Sequence, residues 1–111
     1  MEEKQDIEVQ AALFSLLADP TRLKLLKLLS QQKAPHPLCV NSLAFRLGVS
    51  QPAVSQHLKV LKSAGLVKGE RHGYRIHYFV NEEALIQAKK QIVSALPVEE
   101  PVVRSGPEVT G

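Results

Sequence analysis

The chain has one cysteine, Cys39, in 111 residues. No disulfide can form within one protomer, and a redox sensor built on two thiols of the same chain is excluded; such cysteine usage suits a reducing compartment. No apolar run approaches the roughly 20 residues that a membrane-spanning helix needs. The opening Met1-Glu2-Glu3-Lys4-Gln5-Asp6 lacks the basic-then-apolar order of a secretory leader. A cytoplasmic protein that does not engage a membrane is therefore expected. No internal repeat is found. No nucleophile stands beside a base and no two carboxylates share a predicted face, so neither an enzyme nor a bound cofactor is expected.

What is present fits one ordinary globular domain. Apolar residues make up 44% and charged residues 23%, and a chain this short has room for one modest core. The net charge of +3 is unevenly spread. Between Ser50 and Val80 the five cations Lys59, Lys62, Lys68, Arg71 and Arg75 face one acid, Glu70, so that segment alone carries +4. A local basic stripe on a balanced chain suits either a solvated face or a polyanionic partner, because each cation that meets a phosphate releases condensed counterions.

Periodicity predicts five helices and a hairpin. Ile7, Ala11, Phe14 and Leu17 recur at helical spacing over about 6–18. Asp19-Pro20 then ends one helix and starts the next, with Asp19 as its N-cap. That second helix runs to Gln31, turning Leu25, Leu26, Leu28 and Leu29 inward and leaving Arg22, Lys24 and Lys27 to solvent. The stretch 32–37, with two prolines in three residues, is expected to be a loop. A short third helix spans 40–47 with Leu43, Ala44 and Leu47 inward, and stops at Gly48. Ser50 caps a fourth helix that reaches about Ala64, with Val54, Leu58 and Leu61 inward. Strands at 66–71 and 74–80 flank a His72-Gly73 turn, and Tyr74, Ile76, Tyr78 and Val80 alternate with Arg75, His77 and Phe79 as in a half-buried strand. A fifth helix, 82–96, places Leu85, Ile92 and Leu96 on one face. The expectation is a mainly α fold with a two-stranded β-hairpin, as a domain over 1–96. Residues 97–111, rich in proline, read as a mobile tail.

Two short helices joined through Gly48-Val49-Ser50, the second with a polar outer face, make a helix-turn-helix, and the basic hairpin makes it winged. Gln51 and Gln56 can pair bidentately with adenine, and Ser55 reads several bases or a phosphate. The same helix taken alone is also compatible with a merely solvated face. A winged-helix protein-interaction module is the competing class, but it would not need these side chains beside a basic segment.

The stretches Leu17-Ala-Asp-Pro-Thr-Arg-Leu-Lys24, Leu38-Cys-Val-Asn-Ser-Leu-Ala44, Leu47-Gly-Val-Ser-Gln-Pro-Ala-Val-Ser-Gln-His-Leu-Lys-Val-Leu61 and Ala64-Gly-Leu-Val67 resemble the ArsR/SmtB family of winged-helix repressors. The resemblance covers roughly residues 10–96. It implies a homodimer joined through the first and last helices, a double-stranded DNA operator as partner, and release by an inducer, often a metal ion. Together with the chemistry above it nominates Ser50, Gln51, Pro52, Ser55, Gln56, His57 and Lys59 on the fourth helix, and Arg71 and Arg75 on the hairpin, as DNA-binding residues. His57 lies at the border of the inward and outward faces, so a structural role stays open beside a phosphate or base contact.

The sensor is less legible. Relatives that sense soft metals carry Cys-Val-Cys where this chain has Cys39-Val40-Asn41, and an Asn amide is a poor ligand for a soft ion. The family's other site uses Asp and His on the last helix, and 82–96 contains no His. No metal site is expected. Three readings of Cys39 remain: a single reactive thiol, a ligand helped by His36 with His72 or His77, or a cysteine without a sensing role. A small-molecule or redox inducer is compatible with the sequence, and none is identified by it.

Overall fold

The computed structural model describes residues 2–32 and 37–101, with side chains from Asp6 onward. The elements are α1 (Glu2–Leu17), α2 (Pro20–Gln31), β1 (Leu38–Cys39), α3 (Val40–Leu47), α4 (Gln51–Ser63), β2 (Val67–His72), β3 (Arg75–Val80) and α5 (Glu82–Ala95). His36 and residues 102–111 of the expected tail lie outside the described residues.

Local chemistry places most of these boundaries. The Asp19 carboxylate accepts from the backbone N–H of Thr21 (2.8 Å) and Arg22 (3.1 Å) and so starts α2, with Pro20 where its missing N–H does no harm. Ser50 Oγ accepts from Ala53 N–H at 3.2 Å and starts α4. Between them α3 ends at Gly48, whose φ of +68° is the left-handed turn that only glycine adopts cheaply. Its N–H reaches back to the Ala44 carbonyl at 2.9 Å, which tightens the turn between α3 and α4.

The core is apolar. Leu25, Leu29, Leu43, Val54, Leu58 and Leu61 are fully buried, joined by Leu26, Leu38, Ala44, Leu66 and Val67. Each large side chain taken out of water contributes about 1.5–3 kcal/mol, so α2, α3, α4 and the sheet hold one another. By contrast α5 has no fully buried residue. It packs against α1, where Gln10 Nε2 donates to Gln91 Oε1 at 3.2 Å.

Four details differ from the sequence reading. The sheet has three antiparallel strands in the order β1-β3-β2, not two. Leu38 pairs with Tyr78 and Cys39 with His77, and the Gln32 amide clasps this edge, accepting from Leu38 N–H (3.0 Å) and donating to the Tyr78 carbonyl (2.7 Å). Helix α1 begins at Glu2, earlier than its apolar stripe, because Glu, Lys and Gln are good helix formers and acids suit a helix N-terminus. Tyr74 falls in the turn and is exposed, not inward on a strand. Arg22 is not left to solvent but is half-buried at the junction of α1 and α2.

Candidate nucleic-acid interface

Helix α4 seats Val54, Leu58 and Leu61 in the core and thereby turns Gln51, Pro52, Ser55, Gln56, Lys59 and Lys62 outward, all exposed. Gln51, Ser55 and Gln56 are exposed to solvent. Ser50 is also exposed, though its hydroxyl accepts the capping bond. Pro52 can offer only an apolar ring.

The wing stands beside this face. Strands β2 and β3 pair from Val67↔Val80 to His72↔Arg75, leaving Gly73 and Tyr74 as the turn. Because side chains alternate across a strand and directly paired residues share a face, Arg71, opposite Ile76, and Arg75, opposite His72, project to opposite faces of the hairpin. They cannot serve the same phosphate, and a wing laid along a duplex would offer one to each side. Between the start of α3, the outer face of α4 and the wing lies a cleft of about 440 Å³ whose walls include Asn41, Ser55, Tyr74 and Arg75. The Arg75 guanidinium lies 5.9 Å from the centre of the Tyr74 ring, within range of a cation–π contact. Ser55 and Arg75 thus line the same cleft. Asn41 and Tyr74 were not nominated from the sequence: Asn41 lies outside the basic segment, and Tyr74, though inside it, carries no charge.

His57 is placed differently from its neighbours. It is half-buried and faces the start of α2, with Nε2 3.8 Å from Asp19 Oδ1 and Nδ1 3.4 Å from Arg22 Nη1. The border position expected from spacing is correct, and the ring points away from the outer face.

Cys39 also lines the cleft and precedes α3. Ser42 Oγ accepts from Cys39 N–H at 2.9 Å and lies 3.6 Å from Sγ. The Ser42 backbone N–H is the largest cause lowering the thiol pKa; burial opposes it, and the Ser42 hydroxyl, the Asn41 N–H and the Arg75 charge add to the lowering. The sheet register puts His77 opposite Cys39, and His72 stacks on His77 with ring centres 4.7 Å apart. The His72 ring faces Glu70 at 3.6 Å. Among the described residues no three His, Cys, Asp or Glu are grouped so as to hold a metal ion, and none of the helices is long and apolar enough to cross a membrane.

Comparison with known proteins gives this arrangement a family. Residues 19–68 match the model of the bacterial regulatory proteins of the arsR family. The chain is 37% identical over 86 residues to the transcriptional repressor SmtB homolog of Synechocystis, covering 78% of this chain and 62% of that protein. It is also 37% identical over 93 residues to the arsenical resistance operon repressor of Escherichia coli, covering 84% of this chain and 77% of the repressor. Among solved structures, the homodimeric winged helix-turn-helix DNA-binding domain from Mycobacterium bovis superposes with a TM-score of 0.63 at 28% identity, covering 94% of this chain and 95% of that one. These relatives are regulators, not enzymes. The chain therefore belongs to the ArsR family of winged helix-turn-helix transcriptional regulators.

Proposed function

We propose that this chain is a repressor of the ArsR/SmtB type that binds a palindromic duplex operator as a homodimer, with residues 1–96 as the binding and dimerisation unit and 97–111 as an appended tail. The observation that carries the reading is the juxtaposition of an exposed polar face on α4 with a wing whose Arg75 shares a cleft with Ser55 of that face. In this reading Gln51, Ser55 and Gln56 read base edges in the major groove. Ser50, Pro52, Lys59, Arg71 and Arg75 position the helix against the backbone.

The dimer joins through α1 and α5. Ile7, Val9 and Phe14 on α1, Ile86 and Val93 on α5 and Leu96 just after it are large apolar side chains left exposed in the single chain. The related M. bovis domain is homodimeric. A tight thiolate–metal site is not part of this proposal, because Asn41 stands where a second thiolate would be needed and one thiolate leaves water to fill the remaining positions.

The test is binding to an operator obtained by selection from random duplexes, compared with a scrambled duplex across a salt series. Gln51→Ala and Gln56→Ala should each cost about 1–3 kcal/mol on the operator and little on scrambled DNA, since base contacts specify. Arg75→Ala should weaken both duplexes and flatten the salt dependence, since phosphate contacts position. Equal losses on both duplexes for all three variants would show that α4 does not read bases.

A further inference from the structure

Two motifs that lie 35 residues apart in the chain meet beneath the reading helix. Asp19 and Arg22 come from the start of α2, and His57 comes from the inner border of α4. The Arg22 guanidinium bridges three elements. Its Nε donates to the Leu16 carbonyl at the end of α1, its Nη2 to the Ser15 carbonyl at 3.4 Å, and its Nη1 lies 3.4 Å from His57 Nδ1. On the other side of the ring His57 Nε2 lies 3.8 Å from Asp19 Oδ1, the same oxygen that caps α2. One state of the imidazole suits both neighbours: the neutral ring with its proton on Nε2 accepts from Arg22 at Nδ1 and presents N–H to the carboxylate. A doubly protonated ring would set N–H against guanidinium N–H.

We infer that Asp19, Arg22 and His57 form a polar junction that fixes the rotation of α4 against the end of α1, and that His57 is a positioning residue acting through Arg22, not a phosphate contact. The rest of the seat of α4 is apolar, made by Val54, Leu58 and Leu61. Apolar burial is non-directional and resists rotation of a helix about its axis less than a hydrogen-bonded fork does. The junction also ties the reader to α1, the helix proposed to meet the second copy. In a dimer the two reading helices must sit about one duplex turn, roughly 34 Å, apart, so a twist at this point misplaces both. The inference rests on the proposed reading role of α4 and supplies its positioning.

The experiment uses the full chain with the selected operator and the scrambled duplex, measured by anisotropy, with thermal midpoints recorded for each variant. His57→Gln retains a carbonyl for Arg22 and an N–H for Asp19, and leaves the operator preference in place. His57→Lys sets an ammonium against the guanidinium and lowers operator affinity at least about tenfold, the scale of one charge-assisted hydrogen bond, with no loss on scrambled DNA. Arg22→Lys, which cannot span the carbonyls and the ring together, behaves like His57→Lys. If His57→Lys instead binds both duplexes more tightly, with a salt slope steeper by about 0.9, while His57→Gln weakens both, His57 is a phosphate contact and the inference is overturned.

A second measurement needs no substitution: nitrogen NMR of the wild-type imidazole should report the Nε2–H tautomer both free and bound to operator. A ring that becomes Nδ1–H or doubly protonated on binding overturns the junction. Should the wild type bind no duplex at all, the proposed function fails, while the tautomer of the free protein still tests the junction.

Discussion

Cys39 sits where α3 begins, and its surroundings favour the thiolate. The leading cause is the Ser42 backbone N–H, opposed by burial and reinforced by the Ser42 hydroxyl, the Asn41 N–H and the charge of Arg75. A folded pKa below the unfolded one means that the stabilisation is present above the ordinary thiol value, near 8.5. It is lost as pH falls through the lowered folded value. The rate of alkylation by iodoacetamide should therefore reach half its maximum at a lower pH than that of free cysteine, and Ser42→Ala and Arg75→Ala should each raise that midpoint. A wild-type midpoint at or above that of free cysteine would mean that burial outweighs the donors. The two ends of residue-level reading appear here. Cysteine at 39 with Asn at 41 was legible at once, because a ligand set is a matter of which residues are present. The fate of Arg22 and His57 was not: helical spacing says which side of its own helix a residue occupies, and nothing about the helix that meets it.

At the scale of elements, the helices with chemical punctuation were the readable ones. Asp19-Pro20 and Ser50 with Pro52 start α2 and α4, and Gly48 stops α3. Strand β1 had no such signal, since two residues are too short for any period. Leu38 and Cys39 become a strand only because β3 offers an open edge and Gln32 clasps it. The wing was expected from alternation in β3, but its tightness depends on a residue that alternation passes over. Gly69 faces Tyr78 across the ladder, and a Cβ there would stand 2.9 Å from Ile76 Cγ2 and 3.3 Å from Tyr78 Cε1. Ile76 is β-branched and stiff at χ1, so it cannot swing aside freely. Gly69→Ala should cost about 1–3 kcal/mol, the usual penalty of overpacking, and should speed amide exchange in β2 and β3 more than in α2. An unchanged thermal midpoint would show that the hairpin opens to admit a methyl without cost.

At the scale of the whole molecule, several exposed apolar side chains gather on α1 and α5, the two helices that pack on each other. Of the α1 stripe that spacing identified, Ile7, Ala11 and Phe14 are exposed in the single chain while Leu17 is half-buried, and at the end of α5 Val93 is 71% and Leu96 66% exposed. Periodicity marks an apolar face without saying whose surface would bury it. The groove between α2 and α5, about 450 Å³ and walled by Leu23, Leu26, Ile86 and Ile92, extends the same apolar region. Fully burying one such side chain contributes about 1.5–3 kcal/mol. Even partial burial of Ile7, Phe14, Ile86, Val93 and Leu96, counted in two copies, is comparable with the association cost of about 4–15 kcal/mol. In the proposed dimer this patch would meet its own copy across a two-fold axis, and the pair would present two reading helices to two half-sites. Val93→Lys places a charge within that surface, where in the proposed dimer it would lose water. Sedimentation should show the wild type as a dimer at micromolar concentration and Val93→Lys as a folded monomer. Because the second half-site is then no longer engaged intramolecularly, operator affinity should fall by roughly 10²–10⁴, while weak binding to scrambled DNA, which depends on α4 and the wing of each chain, persists at low salt. A wild type that sediments as a monomer and binds one per operator would remove the dimer from this account and leave the exposed stripes of α1 and α5 to another partner.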